Sequence, residues 1–348
     1  VTNTAPPGGG TAPRENPLPE PLTIGVDVGG TRIKAGLVAG DGSLRATRVR
    51  DSPGDSAEAV AQAVVDVVGD LRSAAGDTEV AGVGVAAAGF VDHAEGVVLF
   101  APHLPWREEP LRDRLSALLD LPVGVDNDAN AAAWAEHRFG AGRGQDEMVM
   151  ITLGTGLGGA HLAGGRLQRG RHGLAGEYGH MVVVPDGRDC PCGRRGCWEQ
   201  YASGTALRRA GRAALATGGA SAEALLGACG GMASRLQGEH VTRAALAGDL
   251  LSVGLLAETG RWLGLGLANL AAALDPACVV VGGGVIEGGE LVLGPAREAL
   301  TAGVPGAGRW PVPEVRSAAL GNSAGLIGAA DLVRTSGRPT PAGGPTPP

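Results

Sequence analysis

The chain carries no block of basic residues. Its 36 acidic side chains outnumber 29 Lys and Arg, and the net charge is −7. That balance argues against a nucleic-acid surface. It leaves room for an anionic nucleotide, because backbone amides and a metal ion bind phosphate on an acidic protein. No run of eighteen apolar residues occurs, so no membrane-spanning helix is expected. The opening VTNTAPPGGGTAPRENPLPEP has no basic start followed by an apolar stretch and does not read as a secretory signal. A cytoplasmic location, with neither a membrane nor a nucleic-acid partner, is the expectation. Cysteine is sparse, at five residues, and in a reducing compartment this suggests metal binding or chance rather than a disulfide framework. Aromatic residues amount to 3%.

Glycine, by contrast, is abundant, at 61 of 348 residues. Most of it lies inside apolar runs, where it marks tight turns and close backbone approach to ligands. Apolar residues make up 44% and charged residues 19%, the balance of a globular chain long enough for two domains. Residues 1–21 and 336–348, rich in Pro and Gly, read as disordered.

The folded part opens with TIGVDVGGT. Ile24, Val26 and Val28 alternate and share one strand face, which turns Asp27 to the other. Strands follow at 33–38 and 44–49, joined by a Gly40-Asp41-Gly42 turn. Val60, Val64, Val67, Val68 and Leu71 form the apolar stripe of a helix over about 56–75. A strand at 80–85, an amphipathic segment near 111–119, a strand at 123–125 and a helix over about 129–139 complete the first half. A similar order restarts with an apolar strand at 148–153, a glycine turn and a return strand at 160–163. Helices are expected at about 203–216, 241–248, 253–274, 290–301 and 322–334, with strands at 278–281 and near 314–319. Strands alternating with helices favour a sheet covered on both sides. The repeated strand, glycine turn and strand suggests two α/β halves facing each other across a cleft.

DVGGT (27–31) and LGTGLGG (153–159) each place glycines and a threonine at a strand-to-strand turn. Either alone reads as a tight hairpin; together, one per half, they favour a shared polyphosphate held by backbone amides. Neither is a Walker loop, and GTGLGG does not open a helix as a dinucleotide fingerprint does. Gly282-Gly283-Gly284, after a buried strand, is a weaker third candidate.

His180, Cys190, Cys192 and Cys197 form H-x9-C-x-C-x4-C, with Gly193 and Gly196 to turn the chain around an ion. Four soft ligands suit tetrahedral zinc with no open position, hence a structural ion. VDNDANAAAW places Asp126, Asn127 and Asp128 where a strand ends and a helix begins. Asp128 can cap that helix. The same position, at the carboxyl end of a strand, suits a carboxylate that accepts a proton from a hydroxyl under phosphorylation. Periodicity does not separate Asp128 from Asp126. Glu177 precedes His180 by three residues and Glu199 follows Cys197 by two, so the Cys loop brings carboxylates and an imidazole together as acceptors for vicinal hydroxyls.

Taken together, DVGGTRIKAG, VDNDANAAAWAE, LGTGLGGA, GLAGEYGH, CPCGRRGCWEQYASG, VVVGGGV and GNSAGLIGAADL resemble the ROK family of bacterial repressors, open reading frames and kinases over about residues 22–335. The overall pattern, including FAPHLPWREEPL, is most similar to actinobacterial members that phosphorylate glucose. The resemblance implies an α/β chain of the actin-like ATPase (ribonuclease H-like) duplicated fold, with two domains around a central cleft. It sets a small domain at 22–134, with the last helix (about 322–335) packed back on it, and a large domain at 135–321 holding the zinc loop. It implies ATP and Mg²⁺ as well as Zn²⁺, and transfer of the γ-phosphate to the 6-hydroxyl of glucose with Asp128 as general base. Asn127, Asp128, Glu177, His180, Glu199 and Gly89 would contact the sugar, His180 giving one ring nitrogen to zinc and the other to sugar. Asp27, Gly29, Gly30, Thr31, Arg32, Gly154, Thr155, Gly156, Gly283 and Gly284 would face the nucleotide and its metal.

Arg32 stands where the family often has Lys, Ala88 where many members have Pro, and His103 where Asn is common. The alternatives are N-acetylmannosamine, N-acetylglucosamine, mannose or fructose as acceptor, polyphosphate as donor, or a sugar-responsive regulator. Only about 22 Pro/Gly-rich residues precede the first strand, too few for the helix-turn-helix domain of the family's repressors. A homodimer or homotetramer is the assembly implied.

Overall fold

A computed structural model describes residues 21–218, 220–306 and 308–335. The two ends expected to be disordered, apart from Pro21, lie outside the described residues.

The first half begins with β1 (Leu22–Val28), β2 (Arg32–Val38) and β3 (Leu44–Asp51), an antiparallel meander. Helix α1 (Ala57–Ala75) follows; the Ser56 hydroxyl accepts the Ala59 N–H at 3.1 Å, and Val60, Val64, Val67, Val68 and Leu71 are buried as the stripe predicts. Strand β4 (Val80–Ala87) lies parallel to β1. Three short strands form a separate antiparallel sheet: β5 (Phe90–Asp92), β6 (Val97–Phe100) and β7 (Arg107–Glu109). The chain continues through α2 (Leu111–Leu119) and β8 (Val123–Asn127) into α3 (Asp128–Phe139).

The second half repeats the plan. Strands β9 (Met148–Leu153), β10 (Leu157–Ala163) and β11 (Arg166–Leu167) make an antiparallel meander. After an irregular stretch come α4 (Gly204–Thr217), α5 (Ala220–Ala228), α6 (Gly238–Leu246) and α7 (Leu250–Leu274). Strand β12 (Cys278–Gly282), α8 (Glu290–Gly303), β13 (Glu314–Ser317) and α9 (Ala324–Thr335) finish it.

The two large sheets have the same layout. One runs β3-β2-β1-β4-β8 and the other β11-β10-β9-β12-β13. In each, the first three strands are antiparallel and the last two add in parallel. The weak repeat in the sequence is thus a duplication of topology, that of the actin-like ATPase fold.

Helix α9 belongs spatially with the first sheet. A Cβ at Gly25 would stand 1.7 Å from the Leu326 carbonyl oxygen, and one at Gly84 1.8 Å from that of Ala329. Only glycine on β1 and β4 lets the helix backbone lie so close. Arg334 secures its end by donating to Val38 O at 2.9 Å and to Thr23 Oγ1 at 2.6 Å.

Candidate active site

Each half offers a glycine turn at the same place in its sheet. Between β1 and β2, Gly29 N–H donates to Arg32 O at 3.0 Å; between β9 and β10, Gly154 N–H donates to Gly156 O at 3.1 Å. Both are the hairpins that the sequence suggests. The start of α4 docks on the second turn, Gly204 N–H donating to Gly154 O at 2.8 Å and Thr205 N–H to Thr155 O at 3.2 Å. The positive end of a fourteen-residue helix therefore abuts the turn, a setting that favours an anion.

Beside this turn opens a cavity of about 360 Å³ lined by Leu153, Gly154, Thr155, Gly204, Thr205, Arg208, Gln237, Gly238, Glu239, Thr242, Gly284, Val285 and Glu287. Of the expected nucleotide residues, Gly154, Thr155 and Gly284 line it. Gly283 instead packs its backbone on Leu153, with φ of +94°. Gly156 turns toward Glu199: a Cβ there would lie 2.9 Å from Glu199 Oε2. Asp27, Gly29, Gly30, Thr31 and Arg32 belong to the first half's turn, away from this cavity. Gly30 packs on His103, whose Cβ is 2.7 Å from where a glycine-to-alanine Cβ would sit. Thr205, Arg208, Gln237, Glu239 and Glu287 were not anticipated. They come from α4, the start of α6 and the turn after β12, and no local motif marks them.

At the end of β8, the two aspartates separate. Asp126 is buried and fully engaged: Oδ1 accepts from Asn127 N at 2.8 Å and Asn130 Nδ2 at 3.0 Å, and Oδ2 from Arg169 Nη2 at 2.6 Å. Asn127, rather than Asp128, caps α3, its Oδ1 accepting the Ala129 and Asn130 N–H groups at 2.9 and 3.1 Å. The Asn127 amide nitrogen donates to Gly89 O at 3.0 Å. Asp128 is the first residue of α3; its Oδ1 accepts the Ala129 N–H at 2.9 Å. Asp128 is half-buried. That burial, with the negative charges of Asp27 and then Glu177, pushes its pKa up to about 7 against the Ala129 hydrogen bond, and no cation contributes. Asp27 is also raised by burial, partly offset by Lys34, its cross-strand partner and the chain's single lysine.

The third group of residues comes from the irregular stretch at 168–203. Glu177 leads a single 3₁₀ turn, Tyr178–His180, and Cys197 another, Trp198–Gln200. Trp198 N–H donates to Met181 O at 2.8 Å, zipping the two segments together, and the Trp198 indole donates to Trp262 O on α7 at 2.7 Å. His180 Nε2 lies 3.8 Å from Glu177 Oε2, and its Nδ1 lies 3.9 Å from Glu199 Oε1. Burial raises the Glu177 pKa, with His180 lowering it and Glu199 adding a smaller rise.

One ligand atom from each of His180, Cys190, Cys192 and Cys197 lies within 4.8 Å of every other. Cys192 Sγ and Cys197 Sγ are 3.7 Å apart, as are Cys190 Sγ and His180 Nδ1. Tetrahedral Zn–S bonds of about 2.3 Å put sulfur atoms about 3.8 Å apart, so the donor set and its spacing fit zinc. With Nδ1 turned to the thiols, His180 leaves Nε2 on the Glu177 side. Cys229 and Cys278 are buried elsewhere.

Two sheets of like order, each with a glycine hairpin at the matching place, put this chain in the class of actin-like ATPase folds. Residues 23–336 match the ROK family, and the chain belongs to it. It is 46% identical over 314 residues to the glucokinase of Streptomyces coelicolor, covering 90% of this chain and 98% of that one. A ROK family glucokinase from Streptomyces griseus, solved with glucose and AMPPNP, superposes with a TM-score of 0.82 at 47% identity, covering 90% and 99% of the two chains. The ROK hexokinase of Thermus thermophilus gives 0.73 at 34%, covering 91% and 100%.

Proposed function

We infer that this chain is an ATP-dependent glucokinase. The observation that carries the reading is Asp128: a carboxylate at the start of α3 whose charged neighbours are Asp27 and Glu177 and whose pKa is raised to about 7. A group that takes a proton in the transition state works best with its pKa near the operating pH. The identity to Streptomyces glucokinases over nine-tenths of the chain supports the substrate and the donor.

The sugar's 6-hydroxyl oxygen attacks the γ-phosphorus in line. The new O–P bond forms as the bond to the bridging oxygen of ADP breaks, and the hydroxyl proton passes to Asp128. Glu177, His180 through Nε2, and Glu199 accept from or donate to the remaining hydroxyls. Asn127 and the Gly89 backbone, tied together, frame the near side. The adenosine occupies the cavity by α4 and α6, and the amides of the 29–31 and 154–156 turns hold phosphate. Asp27 would hold the magnesium ion that accompanies ATP, which offsets phosphate charge. The Cys/His cluster would hold a structural zinc that fixes the His180 tautomer. Residues 22–134 with the last helix, and 135–321, form the two domains that meet over both substrates.

The test is a coupled assay of glucose, mannose, fructose, N-acetylglucosamine and N-acetylmannosamine with ATP and with polyphosphate. Glucose with ATP should give the highest kcat/KM. Asp128→Asn should lower kcat by about 10²- to 10⁴-fold while glucose still binds. Near-normal turnover in that variant would remove Asp128 from the chemistry.

A further inference from the structure

The two halves are joined by an ion pair outside the groups proposed to react. Arg169 lies two residues beyond β11 of the second sheet, and Asp126 lies on β8 of the first. The Arg169 Nε and Nη2 atoms both donate to Asp126 Oδ2, at 2.9 and 2.6 Å. The Asp126 side chain is 5% exposed and that of Arg169 23%. His93 Nδ1 stands 3.6 Å from the same oxygen but lies closer to Val125 O, at 3.1 Å.

Arg169 also begins a closed loop. Ala175 N–H donates to Arg169 O at 3.1 Å, and the loop ends directly at Glu177. At its far side Gly173 rests on the first half, where a Cβ would stand 2.2 Å from Val91 O on β5; φ there is +71°. At its base Gly176 rests on β10, where a Cβ would stand 2.5 Å from Gly159 O. The loop is therefore pinned to both halves, and the guanidinium is its only charged anchor among the described residues.

We propose that Arg169 is a positioning residue for the acceptor sugar: its pair with Asp126 latches the 169–176 loop to the strand that carries Asp128, and so sets Glu177 opposite the base. This rests on the sugar-binding role inferred for Glu177. Asp126 sits one residue from the Asn127 cap and two from Asp128, so the latch joins the acceptor loop to the start of α3 by the shortest covalent path. Truncating the arginine leaves a buried carboxylate without its cation, an imbalance the loop relieves by letting water in. A displacement of the order of 1 Å at a reacting group costs up to about a hundredfold.

The experiment compares Arg169→Ala, Arg169→Lys and Arg171→Ala in the full chain, by steady-state kinetics and by hydrogen exchange of the 169–177 amides. Arg171 is exposed at the loop and serves as the control. Arg169→Ala should raise glucose KM about ten- to a hundredfold with ATP KM unchanged, and should speed exchange in the loop. Arg169→Lys keeps the charge without the paired N–H geometry and should fall between; it carries the test if the alanine variant does not fold. Wild-type glucose KM in either folded variant overturns the proposal. So does a raised KM with unchanged exchange, which would mean that Arg169 touches sugar itself. Glu177→Gln separates the two readings. If its glucose KM is normal, the role of Glu177 fails, while exchange in Arg169→Ala still reports whether the latch exists.

Discussion

At the scale of single residues, proton affinity orders the site. Asp128 is held near 7 by burial first and by the Asp27 and Glu177 charges next. Because the base must be ionised, kcat/KM for glucose should fall as pH drops through about 7 in the free enzyme. Asp27→Asn removes a neighbouring negative charge, so the Asp128 carboxylate becomes easier to form and the acid limb should move to lower pH. A pH–rate series on both proteins checks this; a limb that stays in place would mean that Asp27 does not act on Asp128. The acidic positions were only half legible beforehand. VDNDAN marks a strand end and a helix start, but Asp126 and Asp128 look alike in one dimension. What separates them is Arg169, 43 positions later, which neutralises the first and leaves the second free.

At the scale of elements, α3 is held at both ends. Asn127 caps its start, and Glu136, fully buried, binds its far end to the segment before α9. The Glu136 carboxylate accepts from Ala141 N at 2.7 Å, Leu320 N at 2.8 Å and Ala319 N at 3.1 Å. Glu136→Ala leaves three backbone donors unsatisfied and should cost roughly 3 kcal/mol or more, read as a lower denaturant midpoint. A loss below about 1 kcal/mol would mean that water replaces the carboxylate. The zinc loop is the second such element. Cys192→Ser should lower bound zinc and raise glucose KM by about tenfold together, since His180 is proposed to serve both. A zinc-free variant with unchanged KM would uncouple them. This loop was the most legible part of the sequence, because its four ligands fall within eighteen positions and spacing alone nearly fixes the geometry. The three-stranded sheet of β5, β6 and β7 was not foreseen. Its strands are three or four residues long, with Pro102 and Pro105 in the turn between the last two, too short for a period of two to register. Helix α7 starts at Leu250, with Asp249 accepting the Ser252 N–H, and so begins a turn earlier than its apolar stripe suggests.

At the scale of the whole molecule, the ligand groups are divided between the halves. The proposed base, Asp128, and the 29–31 turn belong to the first half; Glu177, His180 and Glu199, proposed for the sugar hydroxyls, belong with the 154–156 turn and the cavity beside it to the second. The duplication was visible in outline because the order strand, glycine turn and strand occurs in both halves, though the residues themselves repeat only weakly. The cavity beside the second turn was not, since its polar lining is gathered from four separate segments and exists only after the second half has folded. Such a division means that glucose and nucleotide together touch both halves, whereas nucleotide alone can be held largely by the second. The halves should therefore draw together when both are bound. In solution scattering, glucose with a non-hydrolysable ATP analogue should reduce the radius of gyration by about 1 Å, the size of a hinge closure, and the analogue alone should reduce it less. Asp128→Asn should close as the parent does, because it keeps the contacts and loses only the proton acceptor. Scattering that stays the same with every ligand would mean that the halves already stand at their bound separation, and would leave specificity to rest on the preformed site rather than on its closure.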